Sequence, residues 1–346
     1  MQKLLVCFLL ISSMVGLSQN DSPTIFQVTS VCETTPVESP DDGADDPCIW
    51  APRHNVGGAI IVGTDKKFGL ETYNLSGQKL NRFGFGNINN VDINPNFFAP
   101  NEAGERSSAL VIGTNRSTHS IDFFSLNEMG SLKLIHREII GSEMGDLYGL
   151  CAFSVSETHY FVASDKDGRI LSVKYSPSDN NPIVINSSDI FSLSSTVEGL
   201  VADTEHQTLY IAEEDTGIWA YPLTEDIERD ARLILSTDTD LIVADIEGLT
   251  LYDQGQGTGY LLCSIQGANS YGVLDRESLK LLGVFKIVAS DGIDGAEETD
   301  GIDVTSQSLF GFPKGIFIVQ DGFNGHEKQN FKFVNWADIE IHLPKQ

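Results

Sequence analysis

Carboxylates and amides recur at the ends of short apolar segments throughout this chain. Glu198 precedes one such segment and Glu214 follows the next, with a polar turn over residues 203–207 between the two. Short apolar runs bounded by turn residues are typical of buried β-strands. Carboxylates gathered from several strand ends would repel one another or collect cations, and oxygen ligands favour calcium or magnesium over zinc. The pattern predicts a calcium site, provided that the fold brings the strand ends together.

Basic side chains interrupt this acidic pattern at three comparable places. Lys66, Arg116 and Lys166 each come directly after the polar end of an apolar segment, and Lys67 follows Lys66. Arg offers phosphate a bidentate fork and Lys offers a mobile point charge. Beside a carboxylate cluster that holds calcium, these cations indicate a site for a polyanion, with phosphate as the first candidate. The alternative is that they are ordinary turn and surface residues.

The apolar segments belong to a repeat of about fifty residues. When the segments are aligned on the small or apolar residue before their polar end, the aligned residues are separated by 49 to 56 positions: Gly63, Gly113, Ala163, Ala212, Cys263 and Val319. Six units of this length, each with several short strands, predict an all-β fold, a six-bladed β-propeller.

A propeller would place the first strand of every unit around a central channel. The leading residues of these strands should then form a ring: Asp46, Asn90, Tyr148, Glu198, Glu247 and Asp300. The ends of the second strands should lie just outside it: Asp65, Asn115, Asp165, Glu214, Gln266 and Asp321. We expect calcium in this ring. A simpler alternative is that one or two calcium ions only staple the blades together.

Composition limits the partners and the compartment. The net charge of −27, from 49 acidic and 22 basic residues, argues against nucleic acid or an anionic membrane as partner. Lys3, the apolar residues 4–15 and the small residues after them predict a signal peptide over residues 1–18, too short to span a bilayer. We expect residues 19–346 to form a single propeller domain, monomeric and secreted or periplasmic. The four cysteines of the mature chain permit a disulfide, but their spacing does not define a pairing.

Several segments resemble, in order, those of the β-propeller (alkaline, calcium-dependent) phytase family. They extend over most of the mature chain: residues 42–50 (DGADDPCIW), 89–93 (NNVDI), 210–219 (YIAEEDTGIW), 245–250 (DIEGLT), 266–271 (QGANSY), 298–304 (ETDGIDV) and 320–322 (QDG). The resemblance implies a six-bladed propeller that hydrolyses myo-inositol hexakisphosphate, presented as calcium phytate. It also implies several calcium ions, some structural and some catalytic.

The resemblance implies roles for individual residues. Its metal-binding positions fall on Glu33, Asp45, Asp46, Tyr148, Glu198, Glu214, Asp245, Glu247, Gln266, Asp294, Asp321 and Asn324. Its phosphate-binding positions fall on Lys66, Lys67, Arg116 and Lys166, with Asp300 beside them. The catalytic set would then be Lys66, Arg116, Tyr148, Lys166, Glu198, Glu214 and Asp300. Calcium would orient the ester and activate a water, so no side-chain nucleophile is required.

The chain departs from the family pattern at three positions. Asn94 stands where many members have Arg, Phe323 replaces an acid, and Asp167 is shorter than the usual Glu. The first two substitutions are expected to weaken a peripheral phosphate contact and one structural calcium site. Two other functions stay open at this point. One is a calcium lactonase or esterase on a related propeller, which would not need the basic residues, and the other is a non-enzymatic, calcium-stabilised binding propeller.

Overall fold

The structure is a computed structural model that describes residues 22–52, 55–94, 109–177, 183–223 and 231–344. The signal peptide expected over residues 1–18 lies outside the described residues. The described chain forms six β-sheets, with one short α-helix at Trp336–Glu340 and one 3₁₀ turn at Gln266–Ala268. The prediction of an all-β, six-bladed propeller is therefore confirmed. Within the described ranges no helix is long and apolar enough to cross a membrane.

Blades 1 to 4 are each a sheet of four antiparallel strands that runs from the channel outward in chain order. Blade 1 contains β3 (Ala44–Trp50), β4 (Ile60–Asp65), β5 (Gly69–Tyr73) and β6 (Lys79–Phe83). Blade 2 contains β7 (Ile88–Asn94), β8 (Ala109–Asn115), β9 (Ser120–Leu126) and β10 (Leu132–Ile139). Blade 3 contains β11 (Leu147–Val155), β12 (Thr158–Asp165), β13 (Arg169–Ser176) and β14 (Val184–Ser192). Blade 4 contains β15 (Val197–Asp203), β16 (Thr208–Glu213), β17 (Gly217–Pro222) and β18 (Arg232–Ser236).

The last two blades take their outer strands from the start of the described chain. Blade 5 contains β19 (Ile246–Gly255), β20 (Thr258–Ile265), β21 (Ser270–Asp275) and β22 (Leu281–Val288), with β1 (Thr24–Thr29) parallel to β22. Blade 6 contains β23 (Ile302–Thr305), β24 (Ile316–Asp321) and β25 (Asn330–Asn335), with β2 (Cys32–Glu33) antiparallel to β25. Because the two ends of the chain share these sheets, the ring of blades is closed by main-chain hydrogen bonds.

The hydrophobic core is divided among the interfaces between neighbouring blades. Each of six apolar clusters combines residues of two adjacent blades, as where Phe123 of blade 2 packs near Phe161 and Tyr175 of blade 3. The middle strands are buried on both faces, which explains why they are continuous apolar runs rather than alternating ones. All four cysteines among the described residues are unpaired, and three of them are buried.

The inner strands share a bulge near the mouth of the channel. In each of blades 1 to 5, two consecutive residues of the inner strand lie opposite a single residue of the second strand. The second residue of the pair is a glycine in blades 3, 4 and 5. A Cβ on Gly149 or Gly199 would lie 1.9 Å from the carbonyl oxygen of Glu198 or Glu247 in the next blade. The glycines are therefore required for adjacent inner strands to approach each other around the channel.

Candidate active site

The first residues of the bulge pairs form a ring, here called the inner ring. Its members are Asp45, Asn89, Tyr148, Glu198, Glu247 and, just before β23, Asp300. The predicted ring was correct for four blades and wrong by one residue for blades 1 and 2. There Asp46 and Asn90 occupy the position that is a glycine in the other blades, so the repeated acid-glycine pair that set the alignment is missing. The Asp46 carboxylate instead accepts a hydrogen bond from Val91 N–H at 3.0 Å, in the narrower channel below the mouth.

A second set of equivalent positions, the outer ring, lies one residue beyond the second strand of each blade. In blades 1 to 5 its members are Lys66, Arg116, Lys166, Glu214 and Gln266. Each donates its backbone N–H to the carbonyl two residues before the inner-ring residue of its own blade. The predicted alignment matched Glu214 with the wrong position because Ile211, rather than Ala212, pairs with the inner strand. In blade 5 the aligned residue Cys263 was correct, but Gln266 lies three residues beyond it, whereas Asp65 lies two residues beyond Gly63. In the correct register, blades 1 to 3 have a cation at this position, blade 4 has a carboxylate and blade 5 has an amide.

The two rings surround a polar cleft of about 960 Å³ at the channel mouth. The predicted site residues that line it are Lys66, Arg116, Tyr148, Lys166, Glu214, Asp245, Glu247, Gln266, Asp300 and Asn324. Asp45 and Glu198 are buried beneath it. Lys67 is not among the residues that line the cleft; it is exposed and donates at 2.6 Å to the carbonyl of Pro40, a residue of the cleft wall. The basic residues of the outer ring thus belong to blades 1 to 3, and Glu214, Asp245, Glu247 and Asp300 lie on the side of blades 4 to 6, where Lys328 on the loop between β24 and β25 also lines the cleft.

Three glutamates form the centre of the acidic side. Glu198, Glu214 and Glu247 each offer a carboxylate oxygen, and these oxygens lie within 4.8 Å of one another. Burial, followed by repulsion from neighbouring carboxylates, raises the pKa of Glu214 to about 7 and that of Glu198 well above its usual range. Burial also raises the pKa of Glu247 to about 8, against the lowering effect of its interaction with Glu198. No donor group of the described residues reaches the buried Oε2 atoms of Glu198 and Glu247. Such oxygens must either share a proton or face a cation, so this set fits a calcium ion.

The cations of the mouth are held in place by acids. Lys66 Nζ lies 2.7 Å from Asp42, 3.0 Å from Asp45 and 3.6 Å from Asp300. Burial lowers the pKa of Lys66, but the three carboxylates outweigh it, and the net pKa is raised. Lys66 therefore carries its charge over the whole working pH range.

Arg116 and Lys166 complete the basic side. The Arg116 guanidinium donates to both oxygens of Asp146, and its third nitrogen donates to Asn89 Oδ1 at 3.1 Å. Lys166 Nζ lies 4.7 Å above the centre of the Tyr148 ring, a cation–π contact. The sequence did not predict that Asn89, Asp42 and Asp146 would hold the cations of the mouth. Asn89 could have been found by aligning blade 2 one residue earlier, whereas the two aspartates lie on loops outside the repeat.

Of the remaining predicted metal ligands, Asn324 also lines the cleft, whereas Glu33, Asp294 and Asp321 lie apart from it, beside blade 6. Glu33, Asp294 and Asp321 come together there, but they surround the ammonium of the fully buried Lys332. Its Nζ is 2.9 Å from Glu33 and 3.2 Å from Asp321. Asn324 does not join them, because its amide donates to the Lys328 carbonyl. This peripheral group does not fit a further calcium ion as it stands, since Lys332 already supplies its positive charge.

The structure also locates the three departures from the family pattern. Asn94 is fully buried at the far end of β7, about 16 Å along the strand from Asn89, where it bonds Tyr175 Oη and the Phe153 carbonyl. It cannot weaken a phosphate contact at the mouth, so that expectation was wrong. Phe323 is exposed on the wall of the cleft. Asp167 is exposed and pairs with Arg169, outside the residues that line the cleft.

Replacing Lys332 tests its role as an internal counter-ion. The variant Lys332→Met should lower the free energy of unfolding of the calcium-free protein by about 3 kcal/mol, because it leaves a buried carboxylate and two partly exposed ones uncompensated. Calcium should restore part of this loss, since the three carboxylates could then take up a cation. Chemical denaturation with and without calcium measures both effects. Lys314→Met, which removes an exposed pair with Glu340, should cost less than about 1 kcal/mol in both conditions. An equal loss with and without calcium would contradict the counter-ion role.

Fold and mouth together define a class: a six-bladed β-propeller whose channel mouth combines a carboxylate cluster with the three cationic side chains of the outer ring. The family model described as Phytase matches residues 2–346. A 3-phytase of Bacillus subtilis (strain 168) is 36% identical over 331 residues, which cover 92% of this chain and 86% of the relative. The chain belongs to the phytase family, and the resemblance found from its motifs is thereby confirmed.

Proposed function

We propose that this chain is a calcium-dependent 3-phytase that releases inorganic phosphate from calcium phytate. The observation that carries the proposal is the arrangement of the outer ring, which sets Lys66, Arg116 and Lys166 next to the Glu198, Glu214 and Glu247 cluster. A highly phosphorylated substrate needs both fixed cations and bridging metal ions to balance its charge. The membership in the phytase family supports the same function. A lactonase acting on uncharged substrates would have no use for the basic side of the mouth.

The proposed calcium ligands are the oxygen-bearing side chains of the acidic side. They are Asp45, Tyr148, Glu198, Glu214, Asp245, Glu247 and Gln266, with Asp300 between this group and Lys66. The buried and unpaired oxygens of Glu198 and Glu247 are the part of this set that most requires a cation. When bound, calcium supplies charge neutralisation, orientation of the ester and a water of lowered pKa.

The residues of the chain itself provide fixed positive charge and a preformed shape. Lys66, Arg116 and Lys166 would lie against the equatorial oxygens of the reacting phosphoryl group, where charge must be stabilised in the transition state. Asp45 and Asp300 hold Lys66 in this direction, as Asn89 and Asp146 hold Arg116. Among the described residues that line the cleft there is no cysteine, serine or threonine that could attack as a thiol or hydroxyl, and His326 is the histidine of the lining.

A single assay series tests the function. Phosphate release from calcium phytate is measured with calcium-loaded protein, after chelation and after calcium is added back, with an uncharged lactone as a second substrate. We expect release from phytate only with calcium, full recovery on re-addition and no turnover of the lactone. If the calcium-loaded wild type releases no phosphate, the protein is not a phytase. Calcium-dependent stability without phosphate release would instead indicate a binding propeller. Full activity in both Lys66→Ala and Glu214→Gln would refute the site but not the enzyme class.

We also propose that the protein is exported as a single propeller domain after removal of residues 1–18. The basic start, the short apolar stretch and the small residues before Gln19 support this cleavage. N-terminal sequencing of protein recovered from the periplasm or the medium should begin at Gln19. Sedimentation of the same protein tests whether it is a monomer.

A further inference from the structure

We propose that Asn89 is a positioning residue that holds Arg116 in register with the carboxylates of the mouth. The proposal rests on the proposed phytase function, because it concerns how phosphate meets the basic side. Asn89 is the inner-ring residue of blade 2, only 1% exposed, and is the one amide in a ring that otherwise consists of four carboxylates and Tyr148. It lies between the acidic and the basic side.

The amide of Asn89 contacts charged groups on both of its ends. Its Nδ2 donates to Asp45 Oδ2 at 2.7 Å and to Glu198 Oε1 at 3.0 Å, and its Oδ1 accepts from the Arg116 guanidinium at 3.1 Å. The same nitrogen is 2.7 Å from the side-chain amide of Asn90, but that amide fits better reversed, with its nitrogen donating to Glu198 Oε1 at 2.9 Å and to the Tyr148 carbonyl at 3.0 Å. A carboxylate at this position could not donate, and a hydroxyl has only one hydrogen to give. The contacts therefore require an amide.

Arg116 needs a hydrogen-bond partner on the channel side because its other partner, Asp146, lies on a solvent-exposed loop. Asp146 is half-exposed on a loop and holds the Nε and one terminal nitrogen of the guanidinium. Asn89 holds the remaining nitrogen from within the mouth. Without Asn89, the guanidinium would be free to follow the exposed Asp146 towards solvent. Arg116 would then keep its charge but lose the orientation that a bidentate contact with phosphate requires.

Asn89 also links two of the phosphate-binding cations. Asp45 accepts from Asn89 with one oxygen and from Lys66 with the other, at 2.7 and 3.0 Å. Lys66, Asp45, Asn89 and Arg116 thus form one continuous chain of hydrogen bonds across blades 1 and 2. A change at Asn89 should therefore weaken the binding of phosphate, and because Arg116 faces the reacting phosphoryl group, it should also slow the reaction. The consequence is a lower phosphate affinity together with a lower kcat/KM.

The experiment compares three variants with the wild type. Asn89→Ala removes the amide, and Asn89→Asp keeps its size but cannot donate when ionised. Asn94→Ala is the matched control, because it removes another buried amide from the same strand, far from the mouth. For each protein kcat and KM for calcium phytate, the affinity for inorganic phosphate with calcium present and the calcium midpoint of thermal stability are measured.

We expect both Asn89 variants to raise the phosphate dissociation constant about tenfold and to lower kcat/KM for calcium phytate by at least about tenfold. Asn94→Ala should lower the melting temperature but leave kcat/KM and phosphate affinity within twofold. If kcat/KM and phosphate affinity stay within twofold in a folded Asn89 variant, the proposal is overturned, even if the calcium midpoint moves. Should the wild type release no phosphate at all, the proposed function fails. The phosphate-affinity comparison then still decides the role of Asn89.

Discussion

Replacing Glu198 by Gln should lower the rate of phosphate release at least about a thousandfold while making the calcium-free protein more stable. Glu198 is buried beneath the cleft, its Oε2 has no donor, and one of its carboxylate oxygens lies within 4.8 Å of oxygens of both Glu214 and Glu247. A glutamine keeps the size but removes the negative charge, so calcium loses the charge of one of its ligands. Removing one element of electrostatic stabilisation in an active site costs about 2.7–4 kcal/mol, and weaker calcium binding adds to that loss.

The calcium-free Glu198→Gln protein should gain stability because one of the mutually repelling buried carboxylates is removed. Burial and mutual repulsion raise the pKa of Glu214 to about 7 and that of Glu247 to about 8, whereas both titrate near ~4.3 in an unfolded chain. For such groups the stability is fully present below the unfolded pKa and is lost as the pH rises through the folded pKa. The calcium-free wild type should therefore be less stable at pH 9 than at pH 5. Without the Glu198 charge, this decline should shrink by an amount on the order of 1 kcal/mol.

Thermal denaturation between pH 5 and pH 9, with and without calcium, measures this effect beside the phosphate assay. Asp92 and Asp303, in which burial raises the pKa to about 7 and about 6, should leave a residual decline in both proteins. Glu213→Gln is the control, since Glu213 is equally buried but is held by Ser194, Ser195 and Trp219. That variant should lose stability at every pH and keep its calcium response. A Glu198→Gln protein with wild-type activity would remove Glu198 from the proposed site.

The blades could be predicted from the sequence because each repeat had to satisfy the same two packing interfaces. The apolar runs of the second strands, such as β8 and β16, are buried on both faces and so carry a strong signal at every copy. The register of the inner strands was harder to predict from the sequence. It was correct where a glycine follows the ring residue, as at Gly199, and wrong by one residue where Asp46 takes that place. A one-residue shift changes which side chain faces the channel.

Other features of the site depend on contacts between distant parts of the chain. Lys332 lies 299 positions from Glu33 along the sequence, and only the closure of blade 6 by β2 brings the two together. The aspartates that orient the cations likewise could not be found from sequence patterns. Asp42 and Asp146 are loop residues, and neither apolar periodicity nor spacing distinguishes them from ordinary solvated acids. Sequence patterns located the residues that recur in every blade, but not the single residues that adapt one blade to its neighbours.

Replacing Lys66 by Ala should lower kcat/KM for calcium phytate by about a hundred- to a thousandfold, the effect expected for one fixed donor to transition-state charge. Lys66 is the cation closest to the acidic side, because its ammonium is shared by Asp45 and Asp300. Its raised pKa means that the loss should be the same from pH 6 to pH 9. Steady-state kinetics at several pH values measure it. Lys66→Arg should recover part of the activity, since the charge is kept but its position changes.

Lys67 provides the matched control for this prediction. It carries the same charge one residue further along, but it is exposed and its ammonium is bonded to the Pro40 carbonyl at the rim. Lys67→Ala should therefore cost less than tenfold, and mainly in KM, because a distant charge attracts the substrate without touching the reacting group. Raising the ionic strength should reduce the Lys67 effect and leave the Lys66 effect almost unchanged. Equal losses in the two variants would mean that net charge, rather than the outer-ring position of Lys66, determines how the substrate is held.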